Sequence, residues 1–291
     1  MTATVASVNM HINALAFPLF TAVAMCSTSF IFTTKVTPKY WRTIFSSPPL
    51  NIENTNFFLD MYTLIEEITN DVDVKVVVFD SAIQDFWIAH WDVLNTVSTN
   101  LISDNGVYWG NTTRLVNFLV LTVAAVRGIA SGGRAELAAA LDVSFAGDKA
   151  TFLQAEVALG LVPGGGALAF LPLKVGRNRA LEIVISADNF DVKTAAEYGW
   201  INPVIPDAQF EYFVEKFARR VAGWDYYGIL TAKQLINKNS AFPTVSQWLE
   251  TWEAFLEGRI KPAFQIRYPE LIKAGVQTNV NFREERGNGA S

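Results

Sequence analysis

Cysteine is almost missing from this chain: Cys26 is the only one in 291 residues, and histidine occurs twice, as His11 and His90. A lone cysteine excludes an internal disulfide framework and suits a reducing compartment. So few sulfur and imidazole ligands also leave no donor set for a zinc centre of the usual kind, and no metal is expected. Basic charge is short as well, with 23 Lys and Arg against 28 Asp and Glu for a net charge of -5. No basic stripe offers a footprint for a polyanion, so nucleic acid is not an expected partner. Before Lys35 there is no charged side chain at all. The apolar run Ala14–Cys26 covers 13 residues, short of the roughly 20 that span a bilayer. A signal peptide would need a basic start and a transit peptide would need arginines, and neither is present. Residues 1–37 are therefore expected to be an uncharged extension outside the core, either without a targeting role or directed to a membrane or to cleavage.

What the chain does have is apolar substance: 51% hydrophobic and 18% charged residues, enough for one large core or for a core domain with a helical appendage. PKYWRTIF (38–45) reads as an opening strand. NTNFFLDMYTLIEEITN (54–70) has helical spacing with Asn54 or Thr55 as cap. Val74–Phe79 reads as a strand covered on both faces, residues 113–121 as a helix, and 123–128 as a strand. Alternating strands and helices imply an α/β class. From Ala208 onward the signals are helical. The expected division is an extension at 1–37, a core at 38–207 and a helical region at 208–291, with no repeat or low-complexity linker between them.

In SGGRAELAAALD (131–142) a carboxylate, Glu136, stands among apolar residues just after two glycines. If a helix starts at the glycines, its first N–H groups lack intrahelical partners and favour negative charge. The plain reading is a first-turn acid complementing the helix dipole, worth about 0.3–1 kcal/mol. A second segment, FLQAEVALGLVPGGGA (152–167), sets Glu156 in equally apolar surroundings before a turn-rich PGGG.

These segments, with VKVVVFDSAIQDFWIAHWDV (74–93) and FDVKTAAEYGWINPVIPD (190–207), resemble the crotonase superfamily, the enoyl-CoA hydratase/isomerase family, from about residue 38 to residue 223. The resemblance implies a spiral of ββα turns, assembly as trimers or dimers of trimers, and an acyl-CoA thioester as substrate, so that coenzyme A comes with the substrate and no separate cofactor is needed. It also implies that the thioester oxygen sits between the backbone N–H groups of Trp91, in the Ala-Gly-x-Asp position read here Ala89-His90-Trp91-Asp92, and of Gly133. Ala89, His90, Trp91 and Gly132 would line the substrate. Glu136 and Glu156 fall on the two acid–base positions of the hydratases, with their separation, 156 − 136 = 20.

The chemistry wants those groups: adding water across the α,β double bond of a thioester builds an enolate whose oxygen is met by N–H donors. One carboxylate takes a proton from water while a carboxylic acid delivers one to Cα. Other crotonase-type reactions (isomerisation, dehydration, decarboxylation, thioester hydrolysis) and thioester binding without turnover are the alternatives. The sequence departs from the family pattern at Arg134, Ala155, His90 and Trp91. If position 90 needs φ > 0, histidine is strained there, and the Trp91 indole is expected to fill part of the acyl pocket or stack on substrate. A Ser81–His90–Asp92 triad has only local spacing behind it. Trp87, Trp91 and Trp109 read as core. Gly164-Gly165-Gly166-Ala167-Leu168-Ala169 fits a dinucleotide fingerprint if VALGLV is a strand, with Asp188 as the ribose acid, but Pro172 and Gly176 interrupt the helix that should follow. The expected compartment is the cytoplasm, with attachment of residues 1–37 to an organelle or membrane left open.

Overall fold

The computed structural model describes residues 29–92, 112, 114–240 and 242–277. Strand β1 (Ile31–Thr37) pairs antiparallel with β2 (Tyr40–Phe45). Asn54 caps α1 (Thr55–Asn70), its Oδ1 accepting from the Phe57 N–H at 3.1 Å. That helix buries Phe57, Phe58, Met61, Leu64, Ile65 and Ile68, the stripe that a 3.6-residue period puts on one face.

From there the chain repeats one move. A strand enters a large sheet, and the next enters a small one: β3 (Val76–Ser81) then β4 (Phe86–Ile88), β5 (Leu121–Val126) then β6 (Ile129–Ser131), β7 (Val143–Gly147) then β8 (Thr151–Leu153). Helix α2 (Gly133–Ala140) follows β6, and α3 (Ala167–Val175) and α4 (Arg177–Ser186) follow β8. Then come β9 (Asn189–Asp191), α5 (Val192–Tyr198) and β10 (Val204–Ile205). The large sheet runs β1-β2-β3-β5-β7-β10 and the small one β4-β6-β8-β9. This is the expected ββα spiral.

Alternation across the large sheet separates two cores. Val76, Val78, Val123, Ala125 and Phe145 pack under α6 (Asp207–Ala222), which answers with Phe210, Val214, Ala218 and Ala222. Val77, Phe79, Ala124, Val126 and Ala146 face the main core between the sheets and helices. Three further helices complete the described chain: α7 (Tyr226–Asn239), α8 (Val245–Arg259) and α9 (Pro262–Lys273). No helix among the described residues is long and apolar enough to cross a membrane.

Three expectations about the elements need correction. Residues 31–37 are not outside the core: they form the edge strand of the large sheet, and Ile31 is buried in the main cluster. An edge strand needs only one pairing partner and one buried face, so a weakly patterned stretch suffices. The expected helix over 113–121 stops early, because Val116 is its last helical residue and β5 already begins at Leu121. VALGLV is not a strand either: Glu156–Leu159 is a 3-10 turn ended by Gly160 at φ 78. That removes the strand the dinucleotide fingerprint requires, and Asp188 has no such role.

A charged cluster joins α7 to the spiral. Asp142, after α2, accepts from the Thr122 N–H at 2.8 Å, the Thr122 hydroxyl at 2.9 Å and Lys233 Nζ at 2.7 Å. Lys174, at the end of α3, donates to the Leu141 carbonyl at 3.4 Å. Desolvation pulls its ammonium down to about 8, against the opposing pull of Asp142. A folded-state value below the unfolded 10.5 means that the unfolded chain holds the proton more tightly, so this lysine makes stability rise with pH between those limits and fall as pH drops toward 8. In urea unfolding from pH 7.5 to pH 10.5 the wild type should therefore gain on Lys174→Met as pH rises. Parallel pH curves would overturn this.

Candidate active site

Strand β6 delivers the chain to Gly132, whose φ of 58 and ψ of -133 only glycine accepts readily. The conformation turns the backbone into α2 and leaves the Gly133 N–H first in the helix, where no intrahelical carbonyl can reach it. A side chain at position 132 is also excluded by space: a Cβ would stand 2.9 Å from Glu156 Oε1. Glu156 enters from the other side, because β8 runs parallel to β6 with Ser131 opposite Leu153, and the 3-10 turn after β8 starts at Glu156. Residues 20 apart in sequence are thus brought to one helix terminus.

Glu136 lies one turn into α2 and is 2% exposed. Its carboxylate is held by the N-terminus of α3, accepting the Gly165 N–H at 2.9 Å and the Ala167 N–H at 3.0 Å. Charge-assisted bonds of this kind stabilise the anion in a buried setting. The glycine run that precedes α3 permits close approach on its far side too, where a Cβ at Gly164 would lie 2.8 Å from Phe255 Cβ. Helix α8 packs there through Trp248, Trp252 and Phe255.

The loop Ala89–Asp92 is the other segment expected at the site. Trp91 makes a parallel bridge with Glu53: the Glu53 N–H donates to His90 O at 3.1 Å and the Asp92 N–H to Glu53 O at 2.8 Å. The C=O and N–H of a trans peptide point in opposite directions. Since His90 O faces Glu53, the Trp91 N–H is aimed away from it. The Trp91 indole is packed in an aromatic column, 5.3 Å from Phe58 and 6.5 Å from Trp252, the latter nearly parallel at 29°.

His90 carries no backbone strain, since the non-glycine residues with positive φ among those described are Asn51 and Ala187. The triad idea is corrected. Ser81 is buried, with its hydroxyl donating to Phe86 O at 2.7 Å and accepting from Asn51 Nδ2 at 2.8 Å, while the His90 ring faces the carbonyls of Trp91 and Val276. Trp87 is core, fully buried; Trp109 lies outside the described residues. Among the described residues no group of His, Cys, Asp and Glu is arranged to hold a metal ion. Sequence reasoning missed the N–H donors of Gly165 and Ala167, although the PGGG turn before an apolar helix was their signal. It also missed Trp252, Phe255, Val276 and Gln277, for which no local pattern exists.

A ββα spiral with each turn giving one strand to each of two sheets is the crotonase architecture. The enoyl-CoA hydratase/isomerase profile matches residues 43–252, and the chain belongs to that family. It is 29% identical over 192 residues to a short-chain-enoyl-CoA hydratase of Clostridium acetobutylicum, covering 65% of this chain and 74% of the relative. Over 192 residues it is 27% identical to a crotonyl-CoA hydratase of Syntrophomonas wolfei, with the same coverage of 65% and 74%. The crystal structure of a candidate enoyl-CoA hydratase from Streptomyces avermitilis superposes with a TM-score of 0.83 at 29% identity, over 92% of this chain and 100% of that one.

Proposed function

We propose that this chain adds water across the α,β double bond of an acyl-CoA thioester, with Glu136 and Glu156 as its acid–base pair. The observation that carries the reading is that both glutamates belong to the start of α2, Glu156 with Oε1 against Gly132 and Glu136 one turn into the helix, anchored by Gly165 and Ala167. Glu136, stabilised as the anion, takes the proton of the attacking water; Glu156 delivers a proton to Cα. The N–H groups of Trp91 and Gly133 receive the enolate oxygen, with Ala89, His90 and Gly132 shaping the wall beside it. Preorganised donors of that kind act where charge develops and need no rearrangement as it does. Coenzyme A arrives with the substrate and leaves with the product, so no further cofactor enters the reaction.

Relatives named for short-chain and crotonyl thioesters, and an indole fixed between Phe58 and Trp252, support a small acyl group. The test is a panel of α,β-unsaturated acyl-CoA thioesters of increasing chain length, followed by loss of the conjugated absorbance. Turnover that is fastest for the shortest members is expected. Thioester binding without turnover across the panel would move the chain to another reaction of the fold or to a binding role. A homotrimer is proposed with this reading; Ile236, Ile260 and Ile266 of the C-terminal helices, each more than 60% exposed, suit burial between copies. A monomer by light scattering would overturn it.

A further inference from the structure

His90 is the least expected residue of the Trp91 loop, and its side chain is placed with purpose. Asp92 N–H and His90 O both face Glu53, so the Trp91 N–H and the Trp91 carbonyl share the other edge. There His90 Nδ1 lies 2.6 Å from Trp91 O, and Nε2 lies 3.3 Å from the carbonyl of Val276, 186 residues away in sequence. Carbonyl oxygens only accept, so the ring donates to them: either tautomer reaches one, and the imidazolium reaches both. A second tie lies beside it, where Gln277 Nε2 donates to Asp92 Oδ1 at 2.8 Å. Two consecutive tail residues therefore meet two residues that flank Trp91.

We propose that His90 and Gln277 are positioning residues, which strap the C-terminal segment 276–277 to the loop that offers the Trp91 N–H and so hold that donor in place for the oxyanion. This rests on the reading of Trp91 as an oxyanion donor. The physical need is clear from the bridge with Glu53. Its two backbone bonds hold one edge of the loop; the other edge carries the donor and also a carbonyl whose negative end would repel an oxyanion. An imidazole N–H on Trp91 O satisfies that carbonyl and resists rotation of the Trp91–Asp92 peptide. A displacement of about 1 Å in such a donor can cost on the order of 100-fold in rate.

The experiment compares full-chain His90→Ala, Gln277→Ala, the double variant and His90→Gln with wild type, using the fastest thioester of the panel. Expected is a fall in kcat of about 10–100-fold for His90→Ala with KM changed less than about threefold, since the donor acts on the transition state. Gln277→Ala should fall in the same direction, and the double variant should be no worse than His90→Ala, as contacts within one strap are not additive. His90→Gln, which keeps a long side chain with N–H donors, should regain part of the loss. Hydrogen exchange followed by mass spectrometry gives a readout independent of turnover: in His90→Ala the segments around Trp91 and around Val276 should both exchange faster. Unchanged kcat in a folded His90→Ala, multiplying losses in the double variant, or unaltered exchange at the tail would each overturn the strap. If wild type turns over no thioester, the hydratase reading fails by itself, and the exchange result alone decides whether the strap exists.

Discussion

Glu156→Gln lowers kcat for enoyl-thioester hydration by about 100–10,000-fold, the range of a lost acid–base group, with KM nearly unchanged. Glutamine keeps the shape of the side chain and its contact with Gly132, so the fold is not at issue, but it can no longer deliver a proton to Cα. Glu136→Gln gives a loss of similar size for a different reason. Its amide oxygen can still accept from Gly165 or Ala167, yet an amide cannot take a proton from water. Because Glu136 is buried, misplacing the amide nitrogen against N–H donors also costs about 1–3 kcal/mol of stability, visible as a lower melting temperature in this variant only. The two losses do not multiply in the double variant, since each group depends on the other to complete one addition. Either single variant retaining activity within tenfold of wild type would sink the assignment of the pair.

Gly133→Pro removes one proposed oxyanion donor and sets the ring Cδ where the thioester oxygen would lie. Position 133 is the first residue of α2, where proline is well tolerated because its missing N–H had no intrahelical partner. The residue before a proline must be extended. Gly132, at φ 58 and ψ -133, is the mirror image of that conformation and open to glycine. The expected outcome is a folded protein with kcat down by about 100–1000-fold, or ~2.7–4 kcal/mol of transition-state stabilisation. Binding of a saturated acyl-CoA, whose carbonyl oxygen meets the same methylene, should weaken as well, and calorimetry would show it. Full activity in the folded variant would mean that the thioester oxygen is held elsewhere.

Both experiments probe a site whose parts differ in how openly the sequence displays them. Glu136, Glu156 and the glycines around them are visible in SGGRAELAAALD and FLQAEVALGLVPGGGA, because carboxylates in apolar runs and glycine clusters are locally unusual. Helix α1 and its Asn54 cap are visible for the same kind of reason: caps and 3.6-residue stripes are properties of a few neighbouring residues. The early end of the helix before β5 was not, because Val-, Leu- and Phe-rich stretches suit a buried helix or a buried strand equally, and only the sheet pairing of β3 with β5 decides. Strand β1 was hidden in a stretch with one charge, Lys35, that resembles no element until Trp41, Thr43 and Phe45 stand opposite it.

By itself, then, the sequence determined the α/β class, the two carboxylates set in apolar runs and the glycine turns that let backbone approach backbone, since each depends on residue type and short-range spacing. Only the tertiary structure decided which N–H groups hold Glu136, which way the Trp91 N–H points, what the indole packs against, and that residues 276–277 reach the loop at His90. Those are contacts between segments 29 to 186 residues apart. Their partners are chosen by how sheets and helices stack, and no local pattern of residues encodes that choice.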